Sequence, residues 1–358
     1  MTDLFSPLAL RGSITAKNRI WLAPLTNMQS HEDGSCSEAE ARFLRMRAEG
    51  GFGLVTTCAT FVAQDGKAWP GELGAHSDAM IPGLKNLATQ IREAGAIGSV
   101  QLFHGGLRAD AKVSGIQPWS ASEYSENETL LAREGSLADI DQAIVHFAGA
   151  AARVAEAGFE AIELHGAHGY LLSQFLSQTY NRREGAWGGA LAHRARLIRE
   201  VTRAVRKSAP NLALIVRLSP EDFGQAKGLD IDETAEVAKW LVEDGVDVIH
   251  LSLWRAAHNT TKYPDIHPTA FFRKHLGDTA KIIVAGAIWT REDAEAQLAL
   301  GADGVALGRS AIGNHDWPHR IARNEPITRP PFTSEHLEAE GLTKGFVGYL
   351  GKWKGFVA

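Results

Sequence analysis

Short apolar runs, each introduced by the end of a helix and a glycine, recur along the chain and constrain its fold more than any other feature. The pattern reads EAGAIGSVQLF, EAGFEAIELHG, EDGVDVIHLS and ALGADGVALG. A glycine directly after a helix is a common C-cap. Short, almost wholly apolar runs are typical of parallel strands covered on both faces. The repeat therefore predicts helices that alternate with the strands of a parallel sheet.

Eight runs are predicted as strands and six segments as helices. The strands are Ile20–Leu25, Gly53–Cys58, Gly98–His104, Ala161–Leu164, Ala213–Leu218, Asp247–Leu251, Ile282–Ala285 and Val305–Leu307. The helices are Ser37–Ala48, Pro82–Ala94, Leu137–Ala157, Leu191–Ser208, Asp232–Asp244 and Thr290–Leu300. Eight such units predict an α/β fold, a single (β/α)8 TIM barrel, which typically takes about 250 residues. An open doubly wound sheet is the alternative, but no GxGxxG phrase follows the first strand and no P-loop occurs.

Three segments hold what the 358-residue chain has beyond a minimal barrel. Residues 1–19 predict an N-terminal hairpin, with Gly12 at its turn, that closes the bottom of the barrel. Residues 105–136 form an insertion after strand 3, and long loops of this kind are usually lids or binding loops. Residues 326–358 form a C-terminal tail that ends in aromatic and basic residues. We therefore expect residues 1–358 to be one domain.

Composition excludes several classes of protein. The net charge is -5, so no basic footprint for nucleic acid is present. Mean hydropathy is -0.15, and no apolar run approaches the roughly 18 residues of a spanning helix. The two cysteines, Cys36 and Cys58, are too few for a disulfide scaffold. With no secretory signal at the N-terminus, we expect a cytoplasmic protein with no membrane or nucleic-acid partner.

Barrel enzymes carry their chemistry at the C-terminal ends of the strands. In ELHGAHGYLLSQFLS, His165 and His168 follow a strand and are three residues apart, so a turn can direct both into one pocket. Two such imidazoles could hold a metal, bind an anion or donate hydrogen bonds to a carbonyl oxygen. No third ligand is evident, which disfavours a metal. Tyr170 adds a phenol suited to protonate a carbanion-like centre, and the alternative for all three residues is a purely structural role.

Residues in or after other strands predict a phosphate site and a buried positive charge. Gly286 and Gly308, after strands 7 and 8, allow close approach of backbone N–H groups to a phosphate, and Arg309 adds guanidinium donors. Arg217 lies in an apolar strand, where an unpaired charge is costly. Either it pairs with a neighbour such as Glu163, or it stabilises negative charge on a ligand.

With these residues assembled, the chain resembles the old yellow enzyme family of FMN-dependent ene-reductases from about Leu4 to Arg323. The matching phrases are LFSPLAL, KNRIWLAPLT, HSDAMIPGLKNL, SVQLFHGGLRA, AGFEAIELHGAHGYLLSQFLS, NRREGAWGGALAHRARLIREV, VRLSP and ADGVALGRSAI. The resemblance implies one FMN-binding barrel domain that consumes NADH or NADPH in ping-pong fashion. It also implies a small-molecule activated alkene as substrate and a homo-oligomer, with a dimer favoured.

The same resemblance implies a role for each candidate residue. Flavin contacts would come from Pro24, Thr26, Ala59, Gln101, His165 and Arg217, and phosphate contacts from Gly286, Gly308 and Arg309. His165 and His168 would bind the carbonyl or nitro oxygen of the substrate. Hydride would pass from flavin N5 to the β-carbon of an α,β-unsaturated compound, and Tyr170 would protonate the α-carbon.

The chain departs from the family in places. Thr26 stands where one bacterial branch has cysteine, and Met28 stands where that branch has tyrosine, which removes a donor near the substrate oxygen. The family phrase R-x-D-x-Y-G-G becomes Arg183, Gly185, Trp187, Gly188 and Gly189. Two alternatives stay open from the residues alone. One is a phosphosugar-type lyase or isomerase, which needs a lysine or glutamate at a strand end, and the other is a non-catalytic binding barrel.

Overall fold

The computed structural model describes residues 3–358, and its centre is a closed barrel of eight parallel strands. The barrel runs in the order β3, β4, β5, β9, β10, β11, β12 and β13, and β13 pairs with β3 to close it. These strands are β3 Ile20–Leu22, β4 Leu54–Phe61, β5 Ile97–Phe103, β9 Ala161–Gly166, β10 Ala213–Leu218, β11 Val248–Ser252, β12 Lys281–Ala285 and β13 Gly304–Leu307. The predicted (β/α)8 barrel is thus confirmed, with strand bounds shifted by a few residues.

Helices follow the barrel strands, as the glycine-capped repeat predicts, and the last four of them come after β13, the final strand of the barrel. They are α1 Glu38–Glu49, α2 Ile81–Glu93, α3 Ala111–Ser114, α4 Leu137–Glu156, α5 Leu171–Leu176, α6 Leu191–Arg194, α7 Arg196–Ser208, α8 Ile231–Glu243, α9 Pro268–Leu276, α10 Arg291–Ala299, α11 Arg309–Ile312, α12 Trp317–Ala322, α13 Ser334–Ala339 and α14 Lys344–Leu350. The helix predicted over Leu191–Ser208 is two helices, divided beside the buried Arg194, whose guanidinium binds the Glu233 carboxylate. Helix α9 and the shorter helices α3, α5 and α11 to α14 were missing from the prediction.

The N-terminal hairpin closes one end of the barrel, as expected from the sequence. Its strands are β1 Leu8–Arg11 and β2 Ile14–Ala16, and Gly12 takes the left-handed turn conformation with φ 53°. Leu8 and Ala16 pack with Trp21 and Leu54, which lie near the beginnings of barrel strands. The hairpin does not cover the opposite end of the barrel, where the strands finish, and a functional site is expected there.

The insertion at residues 105–136 has more secondary structure than the long loop expected from the sequence. It holds a three-stranded sheet of β6 Trp119–Ser120, β7 Tyr124–Glu126 and β8 Thr129–Glu134, in the order β6, β8, β7. Asn127 and Glu128 join β7 to β8 with φ values of 47° and 64°. Two consecutive residues with positive φ are what a tight hairpin turn requires, and asparagine tolerates that conformation well. The buried Trp119 anchors the sheet by donating its indole N–H to Asp65 Oδ2 at 2.8 Å.

The C-terminal tail folds over the end of the barrel where the strands finish. The buried Arg47 of α1 holds it in place by donating to the carbonyl oxygens of Glu340 at 2.8 Å and Ala311 at 3.0 Å. The last residues return to the start of the tail, because Phe332 N–H donates to Phe356 O at 2.9 Å. The tail therefore contributes to whatever site lies at this end.

Within residues 3–358, no helix has both the length and the apolar character needed to cross a bilayer.

Candidate active site

A cavity of about 1000 Å³ opens at the C-terminal ends of the barrel strands. It is lined by every residue that the sequence put forward as a site residue: Pro24, Thr26, Ala59, Gln101, His165, His168, Tyr170, Arg217, Gly286, Gly308 and Arg309. The tail adds Tyr349, Trp353 and Lys354, and the insertion adds Arg108. No aspartate or glutamate of the described chain is among the lining residues. The cavity wall is therefore apolar and cationic.

Three aromatic rings meet on one wall of this cavity. His165 is the penultimate residue of β9, and its ring centroid lies 4.9 Å from that of His168 and 4.9 Å from that of Tyr170. Phe103 supports the Tyr170 ring edge-on, at a centroid distance of 4.6 Å. The spacing in His-x-x-His-x-Tyr thus brings an imidazole pair and a phenol together at one point.

His165 is a neutral hydrogen-bond donor. Burial, followed by the positive charge of Arg217, lowers the pKa of His165 well below its usual range. The Ala167 N–H donates to Nδ1 of His165 at 3.3 Å, so Nδ1 carries no proton. A neutral imidazole then carries its proton on Nε2, and His165 has an Nε2–H group to offer to a ligand.

His168 reaches the same point through an unusual backbone conformation. Its φ of 61° is in the left-handed region, and its N–H donates to Ser219 Oγ at 3.1 Å. Its Nε2 lies 2.7 Å from Ser252 Oγ. Burial is the main cause that lowers the pKa of His168 well below the usual range. Strained backbone of this kind persists where the surrounding structure enforces it, most often at functional sites.

Arg217 lines the cavity with an unsatisfied donor. Its Nη2 donates to Ser252 Oγ at 3.0 Å, whereas its buried Nε has no partner in the described chain. Glu163 is not its direct partner, because that carboxylate instead accepts from Gln101 Nε2 at 2.6 Å and lies 2.8 Å from His250 Nδ1. A buried donor without an acceptor is costly, so this side chain fits a ligand that presents an oxygen or nitrogen acceptor.

Another part of the cavity lining fits a phosphate. A Cβ at Gly308 would have only Leu25 within 4 Å, so its backbone is open to the cavity. Arg309 has no acidic partner within 4.0 Å in the described chain. Its burial, and the repulsion of Arg255, lower its pKa. Uncompensated guanidinium charge beside accessible backbone is the arrangement that binds phosphate. Together with the free Arg217 donor, the residues present fit FMN.

Several lining residues were missed from the sequence. Ser252 is the last residue of β11, so its position directly after the predicted strand Asp247–Leu251 is a signal that the sequence does contain. Arg108 lies in the insertion, and Tyr349 lies in the tail. Burial raises the pKa of the Tyr349 hydroxyl, and hydrogen bonding with Thr26 counteracts part of that rise. Only the folded chain brings Tyr349 to Thr26, so no local signal could have shown this contact.

Comparison with known proteins agrees with this geometry. Residues 3–327 match the model of the NADH:flavin oxidoreductase / NADH oxidase family. The probable NADH-dependent flavin oxidoreductase YqiG of Bacillus subtilis is 33% identical over 326 residues, covering 89% of this chain and 87% of that protein. An NADPH dehydrogenase of Geobacillus is 36% identical over 327 residues, covering 90% and 94%.

Solved structures show the same fold. The old yellow enzyme homologue from Zymomonas mobilis superposes with a TM-score of 0.83 at 29% identity, covering 97% of this chain and 99% of that chain. Morphinone reductase in complex with tetrahydroNAD superposes with a TM-score of 0.82 at 26% identity, covering 96% and 99%. The chain belongs to the NADH:flavin oxidoreductase / NADH oxidase family and is an NAD(P)H-dependent FMN flavoprotein of the old yellow enzyme type.

Proposed function

We propose that this enzyme is an ene-reductase, which uses NADH or NADPH to reduce the activated C=C bond of α,β-unsaturated carbonyl or nitro compounds. The observation that carries the proposal is the convergence of His165, His168 and Tyr170 on one wall of the cavity. That arrangement puts two imidazoles beside a phenol, as binding an oxygen and protonating a nearby carbon require.

FMN, when bound, supplies the hydride for the β-carbon of the alkene. The residues that would contact its ring and ribityl chain are Pro24, Thr26, Ala59, Gln101, His165 and Arg217. Gly286, Gly308 and Arg309 would hold its phosphate. Arg217 would use its free Nε to satisfy an acceptor on the pyrimidine side of the ring.

The histidine pair binds and polarises the substrate oxygen in this proposal. His165 is neutral with a proton on Nε2, so it donates to the oxygen without a full positive charge of its own. Hydrogen bonds to an oxygen that gains negative charge are stronger in the transition state than in the ground state. Each such donor is typically worth about 3 kcal/mol, or two decades of rate.

Tyr170 is the proposed proton donor to the α-carbon. Burial raises the pKa of its hydroxyl above the usual value for a phenol, so the proton stays on the oxygen at neutral pH. The nearby Arg108 acts in the opposite direction and lowers that pKa. The guanidinium would therefore stabilise the phenolate left after proton transfer. General acid catalysis of this kind contributes typically about 10² to 10⁴ in rate.

The lining residues do not favour the lyase or isomerase alternative. That chemistry needs a lysine or glutamate at a strand end. In the described part of the chain, the cavity lining has no glutamate, and its lysine is Lys354, which belongs to the tail. A non-catalytic binding barrel differs in another way, since it predicts that substitution of His168 or Tyr170 changes no turnover.

An anaerobic titration tests the proposal. NADPH or NADH should bleach the yellow enzyme, and cyclohexenone or an N-substituted maleimide should then restore the colour. The result that would contradict ene-reduction is an enzyme whose flavin is reduced by NADPH or NADH but is not reoxidised by any activated alkene. The homodimer and the cytoplasmic location are parts of the proposal that rest on the sequence alone, and light scattering of the purified protein tests the first.

A further inference from the structure

Arg108 is a cavity residue beside Tyr170, and its guanidinium has donors that the reaction outlined above does not use. Its Cζ lies 5.4 Å from the centroid of the Tyr170 ring, and its Nη1 donates to His168 O at 3.3 Å. It is half-buried, and within residues 3–358 it forms no ion pair with any carboxylate within 4.0 Å. Most of its donors are therefore available on the wall that holds the histidine pair and the phenol.

A buried glutamine fixes the position of this arginine. Gln174 Oε1 accepts from Leu107 N–H at 3.1 Å, and its Nε2 donates to Gly105 O at 3.2 Å. The same Nε2 donates to Gly169 O at 2.7 Å. One fully buried amide thus joins the turn that carries Arg108 to the turn that carries His168 and Tyr170. Side chains supported in this way are held in place before a ligand arrives.

The charge balance of the cavity favours an anionic ligand. Its lining includes Arg108, Arg217, Arg309, Arg329 and Lys354, and no acidic residue of the described chain. The FMN assignment uses Arg217 and Arg309, and the Arg329 guanidinium lies over the Trp289 ring, at 5.1 Å from its centroid. Arg108 remains uncompensated next to the reacting groups. A half-buried guanidinium without an acidic partner is a strong binding element for a carboxylate, which it can hold in two parallel hydrogen bonds.

We propose that Arg108 binds a carboxylate carried by the substrate, so that the preferred substrates are α,β-unsaturated carbonyl compounds with an acid group close to the alkene. This inference rests on the proposed ene-reduction for its substrate class. The carbonyl oxygen lies on the His165–His168 pair, the alkene lies beside Tyr170, and the acid group reaches the guanidinium.

The test compares an acid with its own ester, (E)-4-oxopent-2-enoate and its methyl ester, on holoenzyme. In Arg108→Gln, kcat/KM for the acid should fall about 10- to 100-fold more than kcat/KM for the ester, as expected for a lost hydrogen-bonded charge. Arg108→Lys should restore part of the preference. Lys112→Gln removes the same charge from an exposed position of the insertion, and it should leave the acid-to-ester ratio unchanged.

Equal losses for acid and ester in Arg108→Gln would overturn the inference, because Arg108 would then act through Tyr170 alone. No change for either compound would overturn it as well. Equilibrium binding of 3- and 4-hydroxybenzoate and their methyl esters, followed by flavin absorbance, gives a readout without turnover. There the acids should lose affinity selectively. If wild type reduces neither compound nor cyclohexenone, the proposed function fails, while the binding ratio still decides the role of Arg108.

Discussion

The imidazole rings of His165 and His168 stand almost perpendicular to each other, at 81°, with their centroids 4.9 Å apart. His165 belongs to a barrel strand, whereas His168 lies in the turn after it and adopts a left-handed φ of 61°. The strained turn reverses the chain, so that the second imidazole meets the first. In the proposed mechanism, both histidines therefore bind the same atom, the carbonyl or nitro oxygen of the substrate.

Replacing both histidines with alanine should abolish binding of phenols and enones while FMN is retained. The variant loses two donors to the ligand oxygen, each worth about 1.5–3 kcal/mol where that oxygen is charged, whereas Arg217 and Arg309 still hold the cofactor. Flavin absorbance during a phenol titration measures the affinity. A double variant of the exposed His31 and His193 is the control. Wild-type phenol affinity in the active-site variant would argue against the role of the pair.

Tyr170→Phe should separate the two half-reactions. Reoxidation by a weakly activated enone should slow by about 10² to 10⁴, the usual contribution of general acid catalysis. Reduction by NADPH or NADH should stay nearly intact, because no proton donor is needed there. Anaerobic stopped-flow absorbance measures both rates. Tyr263→Phe, remote from the cavity lining, serves as the control, and an equal loss in both half-reactions would count against proton donation by Tyr170.

Gln174→Met should destabilise the fold and reduce the preference for acids. The change leaves the Leu107 N–H and the Gly169 carbonyl without their buried partner, and each unsatisfied group costs about 1–3 kcal/mol. Urea unfolding measures the stability, and Gln142→Met, exposed on α4, is the matched control. If the variant keeps wild-type stability and the wild-type acid-to-ester ratio, Gln174 does not position Arg108.

Glu40 should make the stability of the enzyme depend on pH. Burial raises its pKa from 4.5 to about 7, although hydrogen bonds from Asn27 and Cys58 oppose that rise. Between these values the folded chain holds a proton that the unfolded chain releases, so stability falls as pH rises from about 4.5 through 7.

Glu40→Gln removes this titration. Its stability relative to wild type should therefore rise by about 2 to 3 kcal/mol between pH 5 and pH 8. Urea unfolding at the two pH values measures the difference. Glu38→Gln, exposed on the same helix, should show no such rise. Parallel pH profiles for Glu40→Gln and wild type would show that Glu40 is ionised in the folded protein.

The parts of the molecule that could be predicted are those with local signals. The glycine caps and apolar runs predict the barrel, and each candidate site residue lies within a few residues of a strand's C-terminal end, where the fold itself assembles the site. The insertion was misjudged because the tight turn at Asn127 and Glu128 was overlooked. Tyr349 could not be predicted, because it meets Thr26 from the opposite end of the chain and no periodicity encodes that contact.

The central claim is that this cavity transfers a hydride to a carbon–carbon double bond, and a single-turnover experiment tests it most directly. Enzyme reduced anaerobically with one equivalent of NADPH is mixed with one equivalent of cyclohexenone, and the products are quantified by gas chromatography. We predict one equivalent of cyclohexanone per equivalent of flavin reoxidised. Reoxidation without cyclohexanone, or with the carbonyl group reduced in place of the alkene, would contradict the account.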